Sequence, residues 1–161
     1  MLRVEKKTIE DSTVFVVTSL DPDSGKHHLF LEWDTVDDLF ENTELTLKDR
    51  IRGLEALGVK GVLIKTRRGY HFISSNIKTS LKRMMSLQKV FGADHKWIGY
   101  NKERGFACLR VSNKYEKEDP LKVVIYPLTD EELKQEYEKI IKKYFYKGDP
   151  YFGDADYDNG F

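Results

Sequence analysis

The stretch Lys65-Thr66-Arg67-Arg68-Gly69-Tyr70-His71-Phe72-Ile73 decides how this chain is built. An apolar run, Val59 to Ile64, leads into it, and a second, Tyr70 to Ser75, leaves it. Two short strands are therefore expected to meet across a basic, glycine-containing turn. Its two arginines direct donors outward, and His71 sits one residue into the second strand. Such a turn suits a triphosphate or a nucleic-acid backbone; it is equally a plain hairpin with a solvated tip.

Outward from the hairpin, the order of elements sets the fold class. Thr13 to Thr18 predicts a first strand, closed by the turn formers of Asp21-Pro22-Asp23-Ser24-Gly25. A second strand is expected from His27 to Asp34. Its alternation puts His28, Phe30, Glu32 and Asp34 on one face and Leu29, Leu31 and Trp33 on the other. An acidic connector (Asp37, Asp38, Glu41) follows, and then Thr46 and Asp49 resemble a capping box. Leu47, Ile51, Leu54 and Leu57 keep helical spacing as far as Gly58.

Beyond the hairpin, Leu81, Met84, Met85, Leu87 and Phe91 predict a helix over 78–89 that stops at Gly92, with Lys78, Lys82, Arg83 and Lys89 as its basic component. Lys96 to Tyr100, Gly105 to Ser112 and Leu121 to Tyr126 read as strands. Thr129 and Glu132 cap a last helix, whose Leu133, Tyr137, Ile140, Ile141 and Tyr144 form one apolar stripe. These elements predict an α+β domain over residues 1–146: a mixed or antiparallel sheet with an RRM-like core, helices packed on one face and the other face free to carry function. Residues 147–161 form an acidic, aromatic tail without a period, either draped on the domain or serving as a docking peptide for a partner protein.

The 161 residues suit one domain with a real core, and 27 basic residues balance 27 acidic ones, so total charge names no partner. Location matters instead: the turn at 65–68 and the helix over 78–89 are basic, whereas Asp149, Asp154, Asp156 and Asp158 lie in the tail. A single cysteine, Cys108, excludes an internal disulfide and a cysteine-based zinc site. No apolar signal core or membrane-length run is present, which leads to the expectation of a cytoplasmic protein with no membrane partner. Abundant Lys and Glu beside two Gln hint at a thermophilic source.

Glu32 and Asp34 are two apart on one strand, so their Cα atoms lie roughly 6–7 Å apart. Carboxylates so placed can hold hard divalent ions, and two such ions clamp the attacking and leaving oxygens of a phosphoryl transfer. The same pair also suits a solvated sheet face. Asp94 is a third carboxylate or a turn former after Gly92, and Arg110 is a phosphate ligand or an edge-strand charge. His27 and His28 are adjacent and therefore point to opposite faces, which speaks against a two-histidine metal site.

Taken in order, these segments resemble the archaeo-eukaryotic primase superfamily, which includes primase small subunits, primase-polymerases and the polymerase domain of bacterial end-joining ligases. Leu29-Phe30-Leu31-Glu32-Trp33-Asp34 is similar to its first motif, and Ile64 to His71 to the strand, turn and histidine of its second. Phe91-Gly92-Ala93-Asp94 with Leu109-Arg110-Val111-Ser112-Asn113-Lys114 resembles its third. The likeness covers about residues 27 to 115. Glu32 stands where the family usually has Asp, Thr66-Arg67-Arg68 replaces Ser-Gly, and the proline of the third motif is absent.

The resemblance implies a minimal or degenerate member that joins a nucleotide to a 3′-hydroxyl on a DNA or RNA template with Mg²⁺ or Mn²⁺. Glu32, Asp34 and Asp94 would be the catalytic metal ligands. Arg67, Arg68, His71, Arg110 and Lys114 would hold the nucleoside triphosphate, and Lys78, Lys82 and Arg83 the template. Two other readings stand beside it: a non-catalytic nucleic-acid-binding or primase-associated subunit that stacks bases on Phe30, Tyr70 or Phe72, and a metal-dependent nuclease or replication initiator.

Overall fold

The expected hairpin forms, and it lies at the centre of the larger of two sheets. The structure is a computed structural model that describes residues 2–9, 12–34, 47–66, 69–112, 122–124 and 130–144. In chain order the strands are β1 (Arg3–Ile9), β2 (Ser12–Thr18), β3 (His27–Asp34), β4 (Gly61–Lys65), β5 (Gly69–Thr79), β6 (Cys108–Arg110) and β7 (Lys122–Val124). The helices are α1 (Leu47–Ala56), α2 (Leu81–Val90), α3 (His95–Arg104) and α4 (Glu131–Tyr144). The chain is thus α+β, and every strand pair among the described residues is antiparallel.

One sheet has the order β1-β2-β6 and the other β3-β5-β4-β7. In the second, β3 and β4 are joined through α1 and separated by β5, so the segment from β3 to α2 is a split βαβ unit carrying a second helix. Register fixes which residues share a face: Glu32 lies opposite His71, and His71 opposite Ile64. Leu31, Phe72 and Leu63 line up in the next row.

Apart from Glu32, which is half-buried, both rows are buried. Leu31, Phe72 and Leu63 are fully covered on one face, and so are Phe30, Ile73 and Ile64 on the other. A face left free for function is therefore not present on these strands. The alternation in β3 is apolar on both sides up to Glu32, as in a strand packed between two layers. Helix α2 packs on β3 and α4 on β4. The Trp33 indole Nε1 donates to the Phe91 carbonyl at 2.8 Å, and the Arg50 Nε donates to the same oxygen at 3.0 Å. That shared acceptor ties α1, β3 and the end of α2 together around Phe91.

Several sequence expectations change, and the strand expected over Gly105 to Ser112 is confined to Cys108–Arg110. The strand expected at Lys96 to Tyr100 is part of α3: the Asp94 side chain accepts from the Trp97 N–H at 3.0 Å, and Gly105 ends the helix at φ 84°. Trp97, Ile98 and Asn101 form its buried face, a spacing of one and four that two turns of helix satisfy. The helix expected over 78–89 begins only at Leu81, capped by Ser80, because β5 continues to Thr79. Lys78 therefore belongs to a strand. Strand β1, which the sequence expectations leave unassigned, pairs with β2 along its whole length. Helix α4 is capped by Asp130, whose Oδ1 accepts from the Leu133 N–H at 3.0 Å. Thr46, Thr129 and the 147–161 tail lie outside the described residues.

Candidate functional site

At the heart of the site, Glu32 of β3 and His71 of β5 face each other across a strand pair. The Glu32 Oε2 is 3.8 Å from the His71 Nε2, with the carboxylate 27% exposed and the imidazole 11%. Burial, reinforced by the positive charge of Arg110, pushes the His71 pKa down to about 3. The ring is therefore neutral at physiological pH, and its approach to Glu32 is not an ion pair. Its Nδ1 is buried and has no hydrogen-bond partner among the described residues. A near-buried neutral imidazole with an unused nitrogen, beside a partly exposed carboxylate, is a costly arrangement for a purely structural role.

The rest of the sheet end gathers around this pair. Asp34 closes β3 opposite Gly69, the first residue of β5. The turn between β4 and β5 is held shut by two bonds: Thr66 N–H to the Gly69 carbonyl at 2.9 Å, and Gly69 N–H to the Thr66 hydroxyl at 3.0 Å. The register thus sets the acidic end of β3 opposite Gly69, at the end of the basic segment. The side chain of Asp34 and all of Arg67, Arg68 and Lys114 lie outside the described residues. Arg110, half-buried in β6, carries the charge that His71 feels.

Asp94 reaches the same place from the other edge of β3. Its backbone N–H donates to the Glu32 carbonyl at 2.9 Å, just as the Gln88 side-chain amide donates to the Phe30 carbonyl at 3.0 Å. The outer edge of β3 is thereby closed by the end of α2 and the start of α3. The Asp94 carboxylate is also the cap of α3, so one of its oxygens is already engaged. Nothing in the spacing of Gln88 or Arg50 announces these supporting roles: both are polar residues that are buried only once α1 and α2 dock against β3.

The remaining candidates lie apart from the pair. Lys82 and Arg83 are exposed on α2. The Lys78 Nζ is 3.0 Å from the Asp21 Oδ2. Phe30, Tyr70 and Phe72 are 0%, 3% and 0% exposed, which removes them as a base-stacking platform. His27 and His28 do separate as alternation requires: His27 Nδ1 is 2.9 Å from the Ser19 hydroxyl, while His28 lines a cleft of about 190 Å³ with Asp130, Glu132 and Glu136.

Comparison with protein-family models, with curated proteins and with solved structures finds no match. Among the described residues no helix is long and apolar enough to cross a membrane. Among the same residues no three His, Cys, Asp or Glu side chains are grouped so as to hold a metal ion. Glu32 offers a hard, accessible carboxylate, and Asp94 offers what its capping role leaves over. A two-ion site would need Asp34 to complete it.

Proposed function

We propose that the chain is a nucleotidyltransferase of the primase-polymerase kind, adding nucleotides to a 3′-hydroxyl on a nucleic-acid template. One observation carries this reading. Parts of the three ordered segments that resemble the primase superfamily gather at the end of β3: Glu32 lies opposite His71, Asp34 opposite Gly69, Asp94 is bonded to the Glu32 backbone, and Arg110 acts on His71 from β6 of the other sheet. The expected RRM-like core is supported by the β3-β5-β4 order, with α1 between β3 and β4.

Glu32, Asp34 and Asp94 would hold Mg²⁺ or Mn²⁺, which when bound offset the charge of the transferring phosphate. This chain's own residues do the positioning. His71, neutral and held by the sheet, has one ring N–H to give to a phosphate oxygen. Arg110 and the two turn arginines supply fixed positive charge, as phosphoryl transfer requires. The small exposure of His71 limits its reach to a group that enters beside Glu32.

Titration of a nonhydrolysable nucleoside triphosphate with Mn²⁺ tests the site. Wild type should bind, and both Glu32→Gln and His71→Ala should weaken binding at least tenfold. Equal affinity in all three proteins would remove the nucleotide from this site. The non-catalytic alternative keeps one supporting observation, the engaged oxygen of Asp94, and predicts template binding without metal dependence.

A further inference from the structure

The charge of this neutral chain is not evenly spread. Helices α2 and α3 follow one another across four residues and pack together. They carry Lys82, Arg83 and Lys89 on α2 and Lys96, Lys102 and Arg104 on α3, with Glu103 the one acidic residue inside either helix and Asp94 at the α3 cap. All six basic residues are exposed, and among the described residues none of them pairs with a carboxylate. By contrast α4 alternates both signs along its length. Lys82, Ser86 and Lys89 share the outer face of α2 at spacings of three and four.

Tyr100 stands in the middle of the second helix's outer face. It is 57% exposed, with Lys96 four residues before it and Arg104 four after. A large ring exposed between two cations is open to stacking. It matches a base flanked by two phosphates.

We propose that the outer face of α2 and α3 binds single-stranded nucleic acid, its phosphates on Lys82, Arg83, Lys89 and Lys96 and a base on Tyr100. The single strand is favoured over a duplex because Tyr100 needs an open base face. The path also leads to the site: α3 is capped by Asp94, whose N–H donates to the Glu32 carbonyl. That this strand is the template rests on the reading above, but the binding itself does not. The surface differs from the set Lys78, Lys82, Arg83 expected from sequence, since Lys78 is paired with Asp21 and α3 takes its place.

The test uses the full chain and a fluorescein-labelled 20-mer of deoxythymidine, read by anisotropy across a salt series without metal or triphosphate. Wild type should bind with a salt-dependent constant. Lys82→Gln and Lys89→Gln should each flatten the log–log salt slope by about 0.7, the value for one phosphate contact on a single strand. Tyr100→Ala should weaken binding roughly 5- to 150-fold while leaving that slope unchanged. These changes lie on exposed positions, and thermal unfolding checks that each variant is folded. Unchanged slopes in both lysine variants would overturn the proposal. So would a duplex of the same length bound as tightly as the single strand and indifferent to Tyr100→Ala. A chain that binds the 20-mer this way yet never binds nucleotide refutes the catalytic reading alone. One that binds nucleotide while these variants change nothing refutes the surface alone.

Discussion

Replacing His71 with Gln should flatten the pH dependence of folding. In the unfolded chain this histidine takes up a proton near its ordinary value of 6.5, whereas in the fold burial and Arg110 hold it down to about 3. Between these values the unfolded state binds the extra proton, so stability rises with pH and is lost as pH falls below about 6.5. At pH 5 the gap to the unfolded value is 1.5 units, and at about 1.4 kcal/mol per unit the loss from this one group is about 2 kcal/mol. His27 and His28 are also shifted down by burial and push in the same direction, so the informative quantity is the difference between variant and wild type. Urea unfolding at pH 7, 6 and 5 measures it. Wild type should lose about 2 kcal/mol more than His71→Gln between pH 7 and pH 5. Parallel losses, within about 0.5 kcal/mol, would mean that His71 is solvated and free to protonate, and the neutral imidazole beside Glu32 would fall with it.

Two glycines test the fold directly. A Cβ on Gly61 would lie 2.3 Å from the Ile73 carbonyl and 2.6 Å from the Phe72 ring, so Gly61→Ala should cost roughly 1–3 kcal/mol in urea unfolding. Gly99 meets nothing within 4 Å on an exposed turn of α3, so Gly99→Ala should stabilise by about 0.5–1 kcal/mol; destabilisation would argue against a helix there. Asp94→Ala should lose about 1 kcal/mol with the α3 cap, whereas Asp94→Asn should hold stability. Primer extension that falls in the Asn variant as well would give the carboxylate a role beyond the cap.

Much of this was legible because the central elements obey simple periods. The hairpin, β3, α1 and α4 announce themselves by alternation or by a three-and-four spacing with a cap or a glycine at one end. Glu32 and His71 were each identifiable as candidates, but their pairing was not, since it follows from a register that strand spacing alone leaves open. Helix α3 was hidden by its own composition. The five residues Lys96 to Tyr100 show a weak alternation, and only Asp94 as cap and Gly105 as stop reveal ten residues of helix. The burial of Phe30, Tyr70 and Phe72 was equally hidden, because a strand between two layers and a strand with an aromatic platform carry the same residues. Strand β1 carries Arg3, Glu5, Lys6 and Lys7, as edge strands that resist further pairing do, and so reads as polar chain.

Primer extension on a primed DNA template, with Mg²⁺ and with Mn²⁺, tests the central claim most directly. Wild type should extend the primer only with a divalent ion, and Asp34→Ala and Glu32→Gln should abolish extension while still binding the template. A folded wild type that binds template but extends nothing with either ion would contradict the account, as would extension that survives both substitutions.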